Sequence, residues 1–504
     1  MTLNYFHLFW SSAFLFIIGF GCKPDQSKKE LRTRPNILFI MSDDHAVNAV
    51  GAYSKRLAEF ARTPNIDQLA EEGMLFENCF VTNSICSPSR ATFLTGKYSH
   101  KNGVYCLNQN FEEQPTSATM MQQAGYRTGV FGKWHLKSAP RGFDDYKVLQ
   151  KQGRYENPEF VEKGREELIE HAGWVDDVIT EMTQQFILDG ENSDQPFFVM
   201  CQYKSAHDPW SSRSPFDTAY QNIKIPEPDN LCDNYQNRSD AARETTLKLE
   251  MMDQRTFAHD RLATEDTCEQ RQHIYQQYIK AYLRSAQVMD DNVGKLMQFL
   301  EENDLAENTI VIYTSDQGHF LGEHGFFSKR FIYEESMQMP LIVRYPGVIE
   351  AGSRRPELIT NLDFAPTILG LAGAPIPEDI QGDSFAELFH GNDIDGWRDA
   401  SYYRDWQHLL HRRVAAHYGI RTADHKLIFY YGLPLGQTDF EATPPEWEMF
   451  DLKNDPQEMQ NIYNDPTNAE TIAQLKEQLL ELKQQYDDTD DQYPEMQQVH
   501  QEYY

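Results

Sequence analysis

The chain has 504 residues and a formal net charge of −31, from 46 Lys+Arg against 77 Asp+Glu. That acidity repels a polyphosphate backbone and excludes a nucleic-acid-binding scaffold, while 40% hydrophobic and 12% aromatic residues exclude disorder for the bulk of the chain. Seven cysteines in this length do not make a disulfide scaffold.

Residues 5–21 form an apolar run with no acid or base, ending Gly19-Phe20-Gly21-Cys22 before the polar Lys23-Pro24-Asp25-Gln26. At about 17 residues the run is short of the ~20 that a bilayer span needs. It resembles a bacterial lipoprotein signal, in which residues 1–21 are removed and Cys22 becomes the lipidated first residue. The expectation is an exported protein, in the periplasm or on the outer membrane or cell surface, with residues 22–33 as linker.

Residues 36–41 (NILFIM) are an apolar run short enough for a buried strand. Thr63-Pro64 offers a helix cap and a first-turn proline; Ile66, Leu69 and Ala70 follow at helical spacing, and Gly73 is a stop. Further strands are expected at 127–131, 197–203 and 309–313, and a helix at 285–302 through Val288, Val293, Leu296 and Leu300. Apolar strands alternating with helices predict an α/β fold over residues 34–374, a large, mostly parallel sheet covered on both faces. The proline-rich APIPEDIQGD around 375–382 is a connector. Short aromatic runs at 401–403 and 426–431 and an amphipathic helix near 472–482 then predict a smaller C-terminal α+β domain, 375–485, with a short antiparallel sheet. Residues 486–504 read as a solvated acidic tail, without the glycine and spacing of a calcium loop.

Chemistry-bearing residues follow the strands. Asp43 and Asp44 come after 36–41, Asp316 and Gln317 after 309–313, Lys133 and His135 after 127–131, and His207 after 197–203. Parallel α/β sheets bind ligands beyond the carboxyl ends of their strands, so four strands deliver these groups to one edge. Three carboxylates and an amide carbonyl suit a hard cation, calcium or magnesium, rather than zinc. A cation with Lys133, His135, His207 and Arg90 nearby points to an oxyanion substrate, a sulfate or phosphate ester.

Cys86-Ser87-Pro88-Ser89-Arg90 precedes Ala91-Thr92-Phe93-Leu94-Thr95-Gly96. Ser87 can cap a helix with Pro88 in its first position, which sets Cys86 against the positive end of the helix dipole. A cysteine there can serve as a thiolate nucleophile. The pattern Cys86-x-Pro88-Ser89-Arg90-x4-Thr95-Gly96 resembles the signature of the formylglycine-dependent (type I) sulfatases. Gly125-Tyr126-Arg127-Thr128 with Gly132-Lys133-Trp134-His135 resembles that family's second signature, and PNILFIMSDDH and SDQGHFLGEHGFFSKRFIYEES are also family-like. The likeness runs from about Arg34 to about Asn461.

The resemblance implies an alkaline-phosphatase-like fold with a large mixed sheet. It implies that Cys86 is oxidised to formylglycine by a formylglycine-generating or anaerobic sulfatase-maturating enzyme, and that its hydrate is the nucleophile. One calcium ion would be held by Asp43, Asp44, Asp316, Gln317 and residue 86; many family members carry Asn in place of Gln317. Arg90 would orient the hydrate, and Lys133 and Lys329 would bind the sulfate oxygens. His135 would take the hydrate's proton as the intermediate collapses, and His207 would help the alcohol leave.

His319, near Asp316, is a further substrate candidate. Arg404, His408, His411 and Arg412 make a basic patch that could take a substrate carboxylate or second sulfate, or form surface ion pairs. Beyond Cys22 and Cys86, five cysteines remain, with no connectivity readable from sequence. The expected reaction is removal of sulfate from an extracellular polysaccharide, an algal glycan such as ulvan favoured over a glycosaminoglycan. The alternatives are a phosphoesterase of the wider superfamily and an inactive glycan-binding lipoprotein.

Overall fold

The main sheet has ten strands: β1 (Asn36–Ser42), β2 (Met74–Phe80), β3 (Arg127–Lys133), β4 (Asp145–Leu149), β5 (Glu159–Glu162), β6 (Leu168–Glu170), β7 (Phe197–Gln202), β8 (Thr309–Ser315), β9 (Leu341–Arg344) and β10 (Ser353–Thr360). Their order is β10-β2-β9-β8-β1-β7-β3-β4-β5-β6. The central block β8-β1-β7-β3-β4 is parallel; antiparallel pairs join at β9 on one side and at β5 and β6 on the other. The computed structural model describes residues 1–3, 34–107, 109–191 and 193–504. Residues 4–33, with most of the expected signal, the linker and Cys22, lie outside them. Among the described residues no helix is long and apolar enough to cross a membrane.

β1 shows why the sheet is buried on both faces. Ile37, Phe39 and Met41 join one apolar cluster and Leu38 and Ile40 the other, because successive side chains point to opposite faces. Each fully buried side chain of this size stabilises by roughly 1.5–3 kcal/mol. One face is covered by α1 (Pro64–Glu72), α3 (Val175–Leu188) and α4 (Thr267–Glu302), through Ile66, Leu69, Ile179, Val288 and Leu296. The other is covered by α2 (Cys86–Thr95) and α5 (Phe364–Leu371), through Ala91, Phe93, Leu94 and Ile368. A disulfide, Cys232–Cys268, ties the start of α4 to the preceding loop; Cys79, Cys86, Cys106 and Cys201 are free and buried.

The C-terminal sheet is antiparallel, β11 (Ala400–Asp405), β12 (His417–Thr422), β13 (His425–Tyr430) and β14 (Glu446–Asp451), in that order. α6 (Ala469–Gln485) and α7 (Pro494–Tyr503) pack on it through Leu475, Leu479 and Met496. Residues 486–504 are therefore not a solvated tail. Asp488 and Asp490 are buried and paired with Arg404 and Lys483, at 2.7 Å for each of Arg404–Asp488, Arg404–Asp490 and Lys483–Asp490. An acidic run remains in the fold when buried cations face it.

Candidate active site

The parallel register of β1 and β8 sets Ser42 opposite Ser315, so Asp43-Asp44 and Asp316-Gln317 emerge side by side. The Asp44 amide donates to Asp316 Oδ1 at 3.1 Å. Asp43, Asp44 and Asp316 are fully buried, and one carboxylate oxygen from each lies within 4.8 Å of the others. Burial and the neighbouring Asp43 push the Asp316 carboxyl well above the usual range. Burial also acts upward on Asp43, but Lys133, His207, Arg90 and Lys329 outweigh it and hold that group low. Three buried carboxylates drawn this close fit a hard divalent cation. Gln317 Oε1 is buried without a hydrogen-bond partner, while its Nε2 lies 3.4 Å from Cys86 Sγ. The same Nε2 donates to Asp44 Oδ1 at 2.5 Å, so the amide nitrogen faces the carboxylates here.

β3 delivers Lys133 and, just beyond it, His135. Gly132 precedes them at φ 105°, where an added Cβ would meet the Gln202 carbonyl oxygen at 1.9 Å, so only glycine fits. Lys133 Nζ contacts Asp43 and lies 3.9 Å from Cys86 Sγ. His207 follows β7, with Nδ1 3.2 Å from Asp208 Oδ1 and Nε2 3.8 Å from Asp44 Oδ2. Burial and Lys133 act to lower its pKa, but Asp208, Asp43 and Asp44 outweigh them and raise it to about 10. His207 is thus held as a cation able to donate a proton. His135 goes the other way, lowered mainly by burial. Lys329 Nζ lies 2.5 Å from both oxygens of Asp44.

Cys86 is the first residue of α2, and Ile85 is its N-cap. This corrects the expectation that Ser87 caps the helix. Ser87 Oγ donates instead to the His135 carbonyl at 2.7 Å, tying α2 to the turn after β3. Arg90, one turn on, is clamped: Nε to Asp316 at 2.9 Å, and one terminal nitrogen to the Lys133 carbonyl at 2.6 Å and Gln202 at 3.0 Å. Burial pushes the Cys86 thiol up, yet Lys133 and Lys329 overcome it and hold the group well below its ordinary value. The position therefore favours negative charge, as needed where sulfate or phosphate charge develops.

Of the other expected residues, His319 is at the site, with Nδ1 3.6 Å from Asp44 Oδ2 and its ring stacked on Tyr282. Arg404 and His408 are not. Arg404 is buried over the Trp406 ring at 3.5 Å and paired with Asp488 and Asp490. His408 Nε2 lies 2.9 Å from the Glu441 carbonyl, and its Nδ1 accepts from the Ala416 amide. Both are occupied inside the C-terminal domain, which removes them as substrate ligands.

The strand-end constellation has counterparts among known proteins. The Sulfatase family model matches residues 35–374, and one described as "N-sulphoglucosamine sulphohydrolase, C-terminal" matches 322–485. The chain belongs to the sulfatase family. An N-acetylglucosamine-6-O-sulfatase of Bacteroides thetaiotaomicron is 38% identical, over 92% of this chain and 88% of its own. An ulvan-active sulfatase of Formosa agariphila is 26% identical, over 73% of this chain and 67% of its own. A solved structure of a protein in complex with its substrate D-glucosamine-2-N,6-O-disulfate shares 37% identity at a TM-score of 0.83, over 92% of this chain and all of that one. The chain is a sulfatase by family and fold, and the mixed sheet is that of its structural neighbours.

Reasoning from sequence missed three residues of this sulfatase site. Asp208 braces His207, Gln202 braces Arg90, and Lys204 is buried over the Tyr155 ring at 4.8 Å, with its pKa pushed down to about 8, chiefly by burial and then by Lys133. The only available signal was adjacency to β7 and His207.

Proposed function

We propose that this sulfatase removes the 6-O-sulfate of a glucosamine unit in an extracellular glycan. The observation that carries the reading is Cys86 Sγ at the start of α2, within 3.9 Å of Lys133 Nζ, Gln317 Nε2 and Asp43 Oδ1. Oxidised to formylglycine by a maturating enzyme, residue 86 would supply a hydroxyl nucleophile, and one calcium on Asp43, Asp44, Asp316 and Gln317 would offset charge on the sulfate oxygens.

The chain's own residues do the rest. Arg90, fixed by Asp316 and Gln202, holds residue 86 in orientation. Lys133 and Lys329 meet the sulfate oxygens from two sides. His135, kept neutral by burial, accepts a proton at residue 86. His207, kept charged by Asp208, protonates the sugar oxygen as its bond to sulfur breaks. The identity to the N-acetylglucosamine-6-O-sulfatase, 38% over nearly the whole chain against 26% for the ulvan-active relative, supports an amino sugar ahead of ulvan. The apolar run before Cys22 supports export and a lipid anchor.

The test is desulfation of defined oligosaccharides, N-acetylglucosamine-6-sulfate and ulvan fragments among them, read by mass spectrometry. Release from the amino sugar with little from ulvan is the expected result. The reverse would overturn the proposed substrate, and phosphate ester hydrolysis exceeding both would overturn the reaction class.

A further inference from the structure

Next to Lys329 stands an arginine that the reaction leaves unused. Arg330 is 6% exposed, and its Nε and one terminal nitrogen are buried without any hydrogen-bond partner. A guanidinium so placed is costly unless an anion meets it. Its backbone is at φ 115°, outside the comfortable range for a side-chain-bearing residue, and is pinned by Ser336 Oγ and the Tyr403 hydroxyl at 2.8 and 2.6 Å. Facing it is the turn between β11 and β12. There Leu409, His411, Arg412 and Arg413 all have positive φ, between 51 and 64°. Such conformations are strained and persist where the surroundings enforce them. Thr245 and Thr246 both hold the Arg412 carbonyl at 2.8 Å, and the Arg412 guanidinium rests on the Phe327 ring at 4.7 Å.

We propose that Arg330, His411 and Arg412 form a second anion subsite beside the reacting sulfate, which takes a second oxyanion substituent of the carbohydrate, a sulfamate or a carboxylate. It rests on the reading of the chain as a carbohydrate sulfatase. The Arg412 guanidinium, over the ring of Phe327 three residues before Arg330, and His411 next to it on the turn lie close enough for Arg330 to act on both. On the other side Arg330 directly follows Lys329, whose Nζ lies 2.5 Å from Asp44, so the subsite borders the reacting centre. The carboxylates within reach do not neutralise it. Asp208 is paired with His207, and Asp405 accepts from the Gln407 amide at 2.7 Å with its pKa raised to about 6, by burial above all. Two guanidiniums, with a His411 imidazole that burial and both arginines hold below its ordinary pKa, thus face acids already engaged elsewhere. In a protein of net charge −31 this gives local capture of a polyanion that the overall field repels. Arg330 and Arg412 can each meet an oxyanion through two nitrogens.

The test is inhibition of 4-nitrophenyl sulfate hydrolysis by three sugars: N-sulfoglucosamine, glucuronate and neutral N-acetylglucosamine. The wild type and the Arg412→Gln and Arg330→Gln variants are compared. One of the anionic sugars is expected to inhibit the wild type about tenfold more tightly than the neutral one, and which one does so identifies the substituent. Both variants are expected to lose that preference. Equal inhibition by all three sugars, or a preference that survives Arg412→Gln, would overturn the subsite; should Arg330→Gln fail to fold, Arg412→Gln on the partly exposed turn decides alone. A subsite preference in an enzyme that leaves N-acetylglucosamine-6-sulfate intact would uphold the subsite and refute the proposed 6-O-sulfate substrate instead.

Discussion

Two buried charge clusters in this sulfatase are built from the same residue types and differ in what they leave unfinished. In the C-terminal domain, Arg404 and Lys483 face Asp488 and Asp490, each acid against a cation at 2.7 Å. Asp488 is held well below its ordinary value: burial acts upward, but Arg404 and Lys483 outweigh it. At the ends of β1 and β8 each acid also meets a cation, Lys133 on Asp43, Lys329 on Asp44 and Arg90 on Asp316, but the three carboxylates crowd one another, and Asp316 is pushed well above its ordinary value by burial and Asp43. Gln317 Oε1 and both ring nitrogens of His319 stay without partners. A cluster whose acids answer its cations stabilises the fold; one whose acids crowd one another is arranged for something that binds.

The contrast predicts opposite responses to substitution. Cys86→Ala, the largest effect, removes the proposed nucleophile, and kcat/KM is expected to fall by about 10⁵-fold or more with the melting temperature unchanged. A residual activity above about 1% would break the assignment. Asp316→Asn keeps the shape that holds Arg90 while relieving a crowded charge. We expect bound calcium, measured by elemental analysis, to disappear and activity to drop by about 10³-fold, while the metal-free protein melts no lower than wild type. A lower melting temperature with metal retained would make Asp316 a structural residue like Asp488.

His207→Ala is expected to hurt a sugar sulfate more than an activated aryl sulfate, by about 10–100-fold in kcat/KM, since only the sugar alcohol needs a proton to leave. Equal losses would point to sulfate binding or support. In the matched cluster, Arg404→Ala leaves Asp488 buried without its cation, and Asp490 with Lys483 alone, and is expected to cost about 3–5 kcal/mol of stability, with turnover per folded molecule nearly unchanged. The acid side carries the same sign. Because the Asp488 pKa is lowered on folding, its contribution is present above the unfolded-state value and is lost as pH falls toward the folded one. Acid unfolding titrations of wild type and Arg404→Ala should therefore converge at low pH. A large fall in kcat in Arg404→Ala would contradict the division between the two clusters.

The site was more legible than the C-terminal charge cluster, and the reason is physical. β1, β3, β7 and β8 are apolar runs with polar residues directly after them, and the parallel register converts that one-dimensional pattern into a shared edge. Cys86 and Arg90, one helical turn apart, needed only the helix period. The helix start was misread by two residues because Ser87 has a use that sequence does not display, a hydrogen bond to the carbonyl of His135. His408 was misread because its partners are backbone groups, and Arg404 and the 486–504 segment for a common reason. The acids of the segment and the cation they pair with are 84 residues apart for Arg404 and Asp488, and local composition cannot show a partner at that separation. Arg330 went unseen beside Lys329 because its distinction is a lack of partners.

The account rests on the chemistry of residue 86. The most direct measurement is the mass of the peptide spanning Cys86, taken from preparations of differing specific activity. An aldehyde in place of the thiol, in a fraction that rises in proportion to activity, is the predicted result. Full activity in protein whose Cys86 thiol is unmodified would contradict it.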